Sequence, residues 1–264
     1  MQPLGIVGPG ANDLLAPLAA RLDGRVATVE RFSETRASRA EAPGPAASFA
    51  LDANGDWTGD GTDRSFDDLL DDLAPDYDYV LAAGFPEARI PTVALATDET
   101  VAGEVVLEAD AADDVDLDAL AGRLKELEPH VTLESLVERA KASPRADRAG
   151  AIATFTGRVR GRDAPDDSYT ERLEFEKYAG VAEERMDRIC EELTEREGVF
   201  EVLMHHRVGV IEDGEDIVFV VVLAGHRREA FRTVEDGIDR LKDEVPIFKK
   251  ETTTDEEFWV HDQS

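Results

Sequence analysis

Apolar residues in the first half of the chain fall into short continuous runs bounded by glycine, proline or charge. Leu4-Gly5-Ile6-Val7-Gly8, Tyr79-Val80-Leu81-Ala82-Ala83-Gly84 and Thr92-Val93-Ala94-Leu95-Ala96 lack polar alternation. That pattern predicts strands covered on both faces, as in a parallel sheet. Asn12–Leu22 has helical spacing. The stretch Glu34–Ala47, rich in Ala, Pro, Glu and Ser, predicts a mobile loop or insert. Asn54-Gly55 and Gly59–Gly61 predict turns.

Two helical runs follow. Leu117, Leu120, Leu124 and Leu127 form one apolar stripe, and Val131, Leu133, Leu136 and Val137 the next. Pro129 separates them and Ser143-Pro144 closes the second. The domain boundary is expected near residue 128, giving domains 1–128 and 129–264.

The second domain has another rhythm. Ala149–Arg160, Leu173–Tyr178, Phe200–Arg207 and Asp216–Ala224 read as strands, with a polar loop at Gly161–Ser168. Asp213-Gly214 predicts a hairpin-type turn between the last two strands. Val181–Glu195 and Arg227–Leu241 read as helices, the latter with Phe231, Val234, Ile238 and Leu241 on one stripe. The expected fold is an α+β C-terminal domain preceded by a small α/β, P-loop-like N-terminal domain.

Charge narrows the possible partners. The chain of 264 residues carries 59 Asp+Glu against 29 Lys+Arg, a formal net charge of −30. Nucleic acid and anionic membrane are repelled by such a surface. Lysine-poor acidity resembles the surfaces of cytoplasmic proteins from salt-loving organisms, where a short Debye length screens the self-repulsion. The excess is uneven: residues 51–122 hold 20 acids and 2 bases, residues 151–264 hold 29 acids and 16 bases. The second domain is therefore the one suited to meet an anion.

The one cysteine, Cys190, has no internal disulfide partner and lies in an apolar helical run, so a reducing compartment and a packing role are expected. No basic segment leads into an apolar core, and no apolar run approaches about 18 residues. A soluble cytoplasmic protein is expected.

Gly8-Pro9-Gly10-Ala11-Asn12-Asp13-Leu14-Leu15 sits between a strand and a helix, as a phosphate loop would. Asp13, Leu14 and Leu15 stand where that loop needs Gly, Lys and Ser/Thr. A carboxylate there repels a triphosphate. The segment, with the later strand Tyr79–Gly84 and Phe85, resembles a degenerate MobB-like domain, whose relatives bind GTP. Packing or partner docking is the expected role.

Positive charge gathers in three places. Phe155-Thr156-Gly157-Arg158-Val159-Arg160-Gly161-Arg162 ends a strand, with Arg158 and Arg160 on one face by the period of two. Gly225-His226-Arg227-Arg228 opens a helix, where free backbone N–H groups favour an anion. The third place holds three of the chain's six lysines, in Leu241-Lys242-Asp243-Glu244-Val245-Pro246-Ile247-Phe248-Lys249-Lys250. Pro246 should end the helix, leaving Lys242 in its last turn and Lys249 on the next strand. Unlike arginine, lysine offers an amine that can act as base or nucleophile. Each feature alone has an ordinary structural reading: a helix C-terminal charge, partners for surplus carboxylates, a packed histidine.

Their order is what identifies them. Gly150-Ala151, Phe155–Arg160, Leu173-Glu174-Phe175-Glu176-Lys177-Tyr178, His206-Arg207-Val208-Gly209, Gly225-His226-Arg227, Leu241-Lys242, Pro246–Glu251 and Trp259-Val260 resemble the large, catalytic subunit of molybdopterin synthase (MoaE-like) over residues 130–264. Phe248 stands where many members have tryptophan. The fused N-terminal domain is absent from the bacterial enzymes.

The resemblance implies sulfur transfer. Cyclic pyranopterin monophosphate receives two sulfurs as a dithiolene from a thiocarboxylate on the Gly-Gly tail of a small ubiquitin-like subunit (MoaD-like). It implies Lys242 and Lys249 as the catalytic pair, and Arg158, Val159, Arg160, His226, Arg227, Lys250 and Glu251 as substrate-binding, with Glu251 orienting a lysine. No metal or cofactor is implied. A homodimer within a heterotetramer is expected. The rival reading is a non-catalytic adaptor in molybdenum cofactor assembly with a nucleotide-binding N-terminal domain.

Overall fold

In the first half the apolar runs become a parallel sheet whose two faces are both covered. The computed structural model describes residues 1–32, 47–162, 164–165, 167–178, 180–254 and 257–260. Two units result, Met1–Val131 and Thr132–Ser264. The first contains β1 (Gln2–Val7), α1 (Ala11–Ala19), β2 (Val26–Glu30), β3 (Ala47–Leu51), β4 (Trp57–Gly61), α2 (Phe66–Leu73), β5 (Tyr79–Ala83), β6 (Thr92–Leu95), β7 (Val105–Ala109) and α3 (Leu117–Leu124).

The parallel order is β2-β5-β1-β6-β7. Leu14, Leu15 and Leu18 of α1 and Leu120 and Leu124 of α3 pack against Leu4, Ile6, Leu81 and Val93 on one face. Leu70 of α2, with Ala88 and Ile90, covers Val80 and Ala82 on the other. Double coverage explains the unbroken apolar runs of the three central strands. The edge strands β2 and β7 are only partly buried and lack such runs, so the sequence does not announce them. β3 and β4 form a separate antiparallel hairpin turning at residues 52–56. Gly59 and Gly61, expected as turn residues, lie inside β4. Residues 34–46 of the expected loop lie outside the described residues, and Ala47 opens β3.

Gly8 explains itself by packing. It has φ +111°, and a Cβ there would lie 1.9 Å from the Leu95 carbonyl oxygen. Gly10 follows at φ +82° as the α1 N-cap, and Asp13 occupies the first turn.

The second unit contains α4 (Leu133–Lys141), β8 (Ala151–Arg158), β9 (Thr170–Lys177), α5 (Val181–Thr194), β10 (Val199–His206), β11 (Gly209–Glu212), β12 (Asp216–Ala224), α6 (Arg227–Glu244), β13 (Ile247–Thr253) and β14 (Glu257–Val260). An antiparallel sheet, β10-β12-β8, backs onto α5 and α6. Met186, Ile189 and Leu193 of α5 meet Val234, Ile238 and Leu241 of α6 over Val220 and Val222. Burying each of the largest side chains contributes about 2 kcal/mol. A second sheet, β11-β9-β13-β14, carries its own small core of Val159, Leu173, Phe175 and Ile211.

The Asp213-Gly214 turn does not join the pair expected from sequence. The four-residue strand β11 intervenes and pairs with β9, so this turn carries the chain from the second sheet to the first. β10 and β12 still pair antiparallel, with His206 opposite Val218.

Candidate active site

A cavity of about 780 Å³ opens in the second unit between the end of β8, strands β9 and β13, and the C-terminal end of α6. Phe155, Leu173, Phe175, Ile217, Val218 and Ile247 give it an apolar wall. Thr156, Arg158, Arg160, Thr170, His206, Lys242, Lys249 and Glu251 supply its polar lining.

Each cation arrives for a local reason. Val245 ends α6, and its N–H donates to the Leu241 carbonyl. Lys242 is thus set in the last turn, where positive charge complements the helix dipole. Its side chain is exposed, at the rim. Lys249 lies on β13 opposite Phe175 of β9 and is half-buried. Strand alternation puts Ile247, Lys249 and Glu251 on one face, all lining the cavity. Phe248 stacks edge-on with Tyr178, ring centres 5.5 Å apart.

Ion pairing separates these two lysines from the others. Lys125 pairs with Asp23, Lys141 with Glu138, Lys177 with Glu183 and Lys250 with Glu174. Lys242 and Lys249 make no ion pair with any described residue, in a chain with twice as many acids as bases. Two cations thus converge on one cavity without a carboxylate neutralising either, which leaves it suited to an anion.

The other expected site residues divide. Arg158 lines the cavity while its guanidinium donates to the Gly214 carbonyl and pairs with Asp216 at 3.3 Å. Arg160 follows the strand end and also lines the cavity. Val159 between them turns inward, 3% exposed in the second-sheet core, and its N–H donates to the Glu215 carbonyl. It supports the loop and offers no side chain to a ligand. Lys250 alternates away from the cavity, its Nζ 3.8 Å from Glu174. Glu251 accepts from the Thr170 hydroxyl; this, not a lysine, is its partner.

His226 and Arg227 are not in this cavity. His226 is the N-cap of α6 and Lys242 lies sixteen residues further along the same helix. At about 1.5 Å per residue the two ends are roughly 24 Å apart, so one chain cannot bring them to one ligand.

His206 joins the cavity although no sequence pattern marks it as a ligand group. It ends β10, lines the cavity and is only 6% exposed. Its Nδ1 lies 2.7 Å from the Arg207 carbonyl oxygen, and its ring meets Phe175 edge-on, centres 4.9 Å apart. A carbonyl only accepts, so Nδ1 carries the proton and Nε2 presents a lone pair. Burial, aided by the charge of Lys177, holds the imidazole down to about 4, so it is neutral at working pH. A histidine on a mostly apolar strand has the look of a packed residue, and only the cavity distinguishes it.

Cys190 packs half-buried against the α5–α6 core, where burial pushes its thiol up to about 12. A thiol so held carries little thiolate, the reactive form. Among the described residues no three His, Cys, Asp or Glu side chains gather as a metal site requires, and no helix is long and apolar enough to cross a membrane.

The MoaE protein family model matches residues 128–244. A protein of Haloferax volcanii described as a probable molybdopterin synthase is 65% identical over 263 residues, spanning the whole of both chains. The chain belongs to the MoaE family. Another member, the molybdopterin synthase catalytic subunit of Pyrococcus abyssi, is 38% identical over 124 residues, 47% of this chain and 82% of that one. A crystal structure of molybdopterin synthase from Staphylococcus aureus aligns with TM-score 0.45 and 31% identity, over 52% of this chain and 94% of that one. The Haloferax match runs through both units, so this MoaE chain shares its N-terminal half with that relative. The family match covers α4 to α6 and includes Arg158, Arg160, His206 and Lys242; Lys249 and Glu251 lie just beyond it.

Proposed function

We propose that this chain is the large subunit of a molybdopterin synthase, a sulfurtransferase of molybdenum cofactor biosynthesis. It moves sulfur from a thiocarboxylated, MoaD-like small subunit to cyclic pyranopterin monophosphate. The observation that carries the reading is the pair Lys242 and Lys249, free of ion pairs among the described residues and facing one apolar-walled cavity. Arg158 and Arg160 would hold the phosphate, whose charge rewards donors at the end of β8. An inserted peptide tail would strip water from the exposed Lys242, letting its amine act as base or transient nucleophile. Lys249, deeper and near Glu251, would complement charge that develops as the phosphate ring opens. Each thiocarboxylate gives its sulfur to the pterin side chain and leaves as a carboxylate once water cleaves the acyl bond.

The acidic surface fits a cytoplasm of high salt, so the assay belongs in molar KCl. Purified chain, cyclic pyranopterin monophosphate and a thiocarboxylated small subunit should yield the dithiolene product by mass spectrometry. No product with an authentic, loaded partner would end this reading. The adaptor alternative predicts small-subunit binding without turnover.

A second copy of the chain accounts for His226 and Arg227. In a dimer these residues would approach the partner's cavity, giving each site donors from both chains. Lys242→Ala and Arg227→Ala chains should then be inactive singly and regain about a quarter of wild-type activity once mixed and exchanged, since half the dimers would hold one intact site. A mixture that stays inactive after demonstrated exchange counts against shared sites.

A further inference from the structure

Cations dominate the cavity's polar lining, with the hydroxyls of Thr156 and Thr170 and the Glu251 carboxylate beside them. Arg158, Arg160, Lys242 and Lys249 have only N–H groups to offer, and Glu251 accepts from the Thr170 hydroxyl. The four cations suit a phosphate. The deep wall of Phe175, Ile217 and Val218 would cover a ring by contact alone, without reading its edge.

His206 adds a neutral acceptor within the apolar wall. The imidazole is set in this wall, across the strand pair from Val218 and edge-on to Phe175. Its proton is committed to the Arg207 carbonyl, and among the described residues Nε2 has no hydrogen-bond partner. With its ring lining the cavity, the second nitrogen is placed to accept from a ligand donor. Its neutrality matters too: a charged imidazolium would be one more donor and would repel an N–H.

We infer that His206 is a substrate-binding residue, its Nε2 accepting a hydrogen bond from a ring N–H or a hydroxyl at the end of the substrate remote from the phosphate. The inference rests on the functional reading above. It divides the cavity into a cationic mouth that holds an anion and an apolar floor with one neutral acceptor that reads a heteroaromatic edge. An anion lacking such a donor would bind at the mouth but out of register.

The test compares His206→Phe, which keeps a flat ring and removes the acceptor, with His206→Gln, which returns an acceptor near the Nε2 position. His206→Phe should raise the KM for cyclic pyranopterin monophosphate about tenfold, about 1.4 kcal/mol, with kcat changed far less and small-subunit affinity unchanged. His206→Gln should recover most of the loss. The wild-type chain gives a readout that does not depend on the variants folding. With ¹⁵N-labelled histidine, the His206 Nε2 resonance should report an unprotonated nitrogen and shift when the substrate alone is added. Inorganic phosphate should leave it in place. Unchanged KM in a folded His206→Phe, or an Nε2 signal unmoved by saturating substrate, overturns the inference. If the wild-type chain fails to bind this substrate by calorimetry, the functional reading itself falls and takes the inference with it.

Discussion

Lys242→Ala is expected to lower dithiolene formation about 10³-fold, the size of losing a positioned acid–base group or nucleophile. Fold and partner binding should hardly change. The side chain sits exposed at the end of α6 with no ion pair to a described residue, so its removal leaves no buried charge alone. The loss of a favourable charge at a helix C-terminus amounts to a few tenths of a kcal/mol. Lys242→Arg sharpens the claim. An arginine would keep the positive charge at the cavity mouth but offers no amine that can give up its proton. If the role is chemical, Lys242→Arg should be as inactive as Lys242→Ala; if the role is only to attract the anion, it should retain most activity. Turnover by mass spectrometry, with small-subunit affinity as control, decides between them. Near wild-type turnover in Lys242→Ala removes the residue from the catalytic pair.

Gly8→Ala should destabilise the protein by about 3 kcal/mol or more, with no ligand involved. Two costs coincide at this position. A side chain at φ +111° lies outside the conformations L-residues favour. Its Cβ would also lie 1.9 Å from the Leu95 carbonyl oxygen, a contact with backbone that no rotamer relieves. Either β1 or β6 must shift, and both are central strands of the sheet. Gly10→Ala makes the comparison. There the added carbon would meet the Ala112 side chain at 3.4 Å, ordinary contact, and φ +82° leaves a backbone cost of about 1–2 kcal/mol. Guanidinium unfolding in molar salt should place Gly8→Ala well below Gly10→Ala. Equal midpoints would mean that Gly8 is not held by packing, and would reopen a ligand role for the loop.

Gly8 illustrates how far sequence carried. The Gly-Pro-Gly run between strand and helix was legible, as was the missing lysine, but the reason for glycine was not. It lies in Leu95, nearly ninety residues away, whose carbonyl reaches the loop only when β6 is laid beside β1. The same distance in sequence hid β11 and the edge strands. Four residues paired with β9 leave no periodic trace, because their stability comes from a partner strand rather than from their own pattern.

The candidate site was read in the same uneven way. Arg158, Arg160, Lys242, Lys249 and Glu251 were picked out by motif, and the fold brings them around one cavity. The resemblance implies Val159 and Lys250 as well, but strand alternation turns one into the core and the other toward Glu174. His226 and Arg227 sit in as clear a motif, yet α6 holds them roughly 24 Å from Lys242. His206, in His206-Arg207-Val208-Gly209, has no role legible in sequence, since a histidine's use depends on which nitrogen is left open by the fold.

By itself, then, the sequence determined the elements with strong periodicity, the division into two units, the acidic surface and the family to which the lysines and arginines belong. These follow from local patterning and residue chemistry, which the chain carries wherever it is placed. Only the tertiary structure decided which of those charges share a cavity, which glycine is fixed by a distant carbonyl, and that His206 lines the same cavity with its Nδ1 held by a backbone carbonyl. Such facts depend on contacts between segments far apart in the chain, and helix length and strand alternation settle them only once the fold has closed.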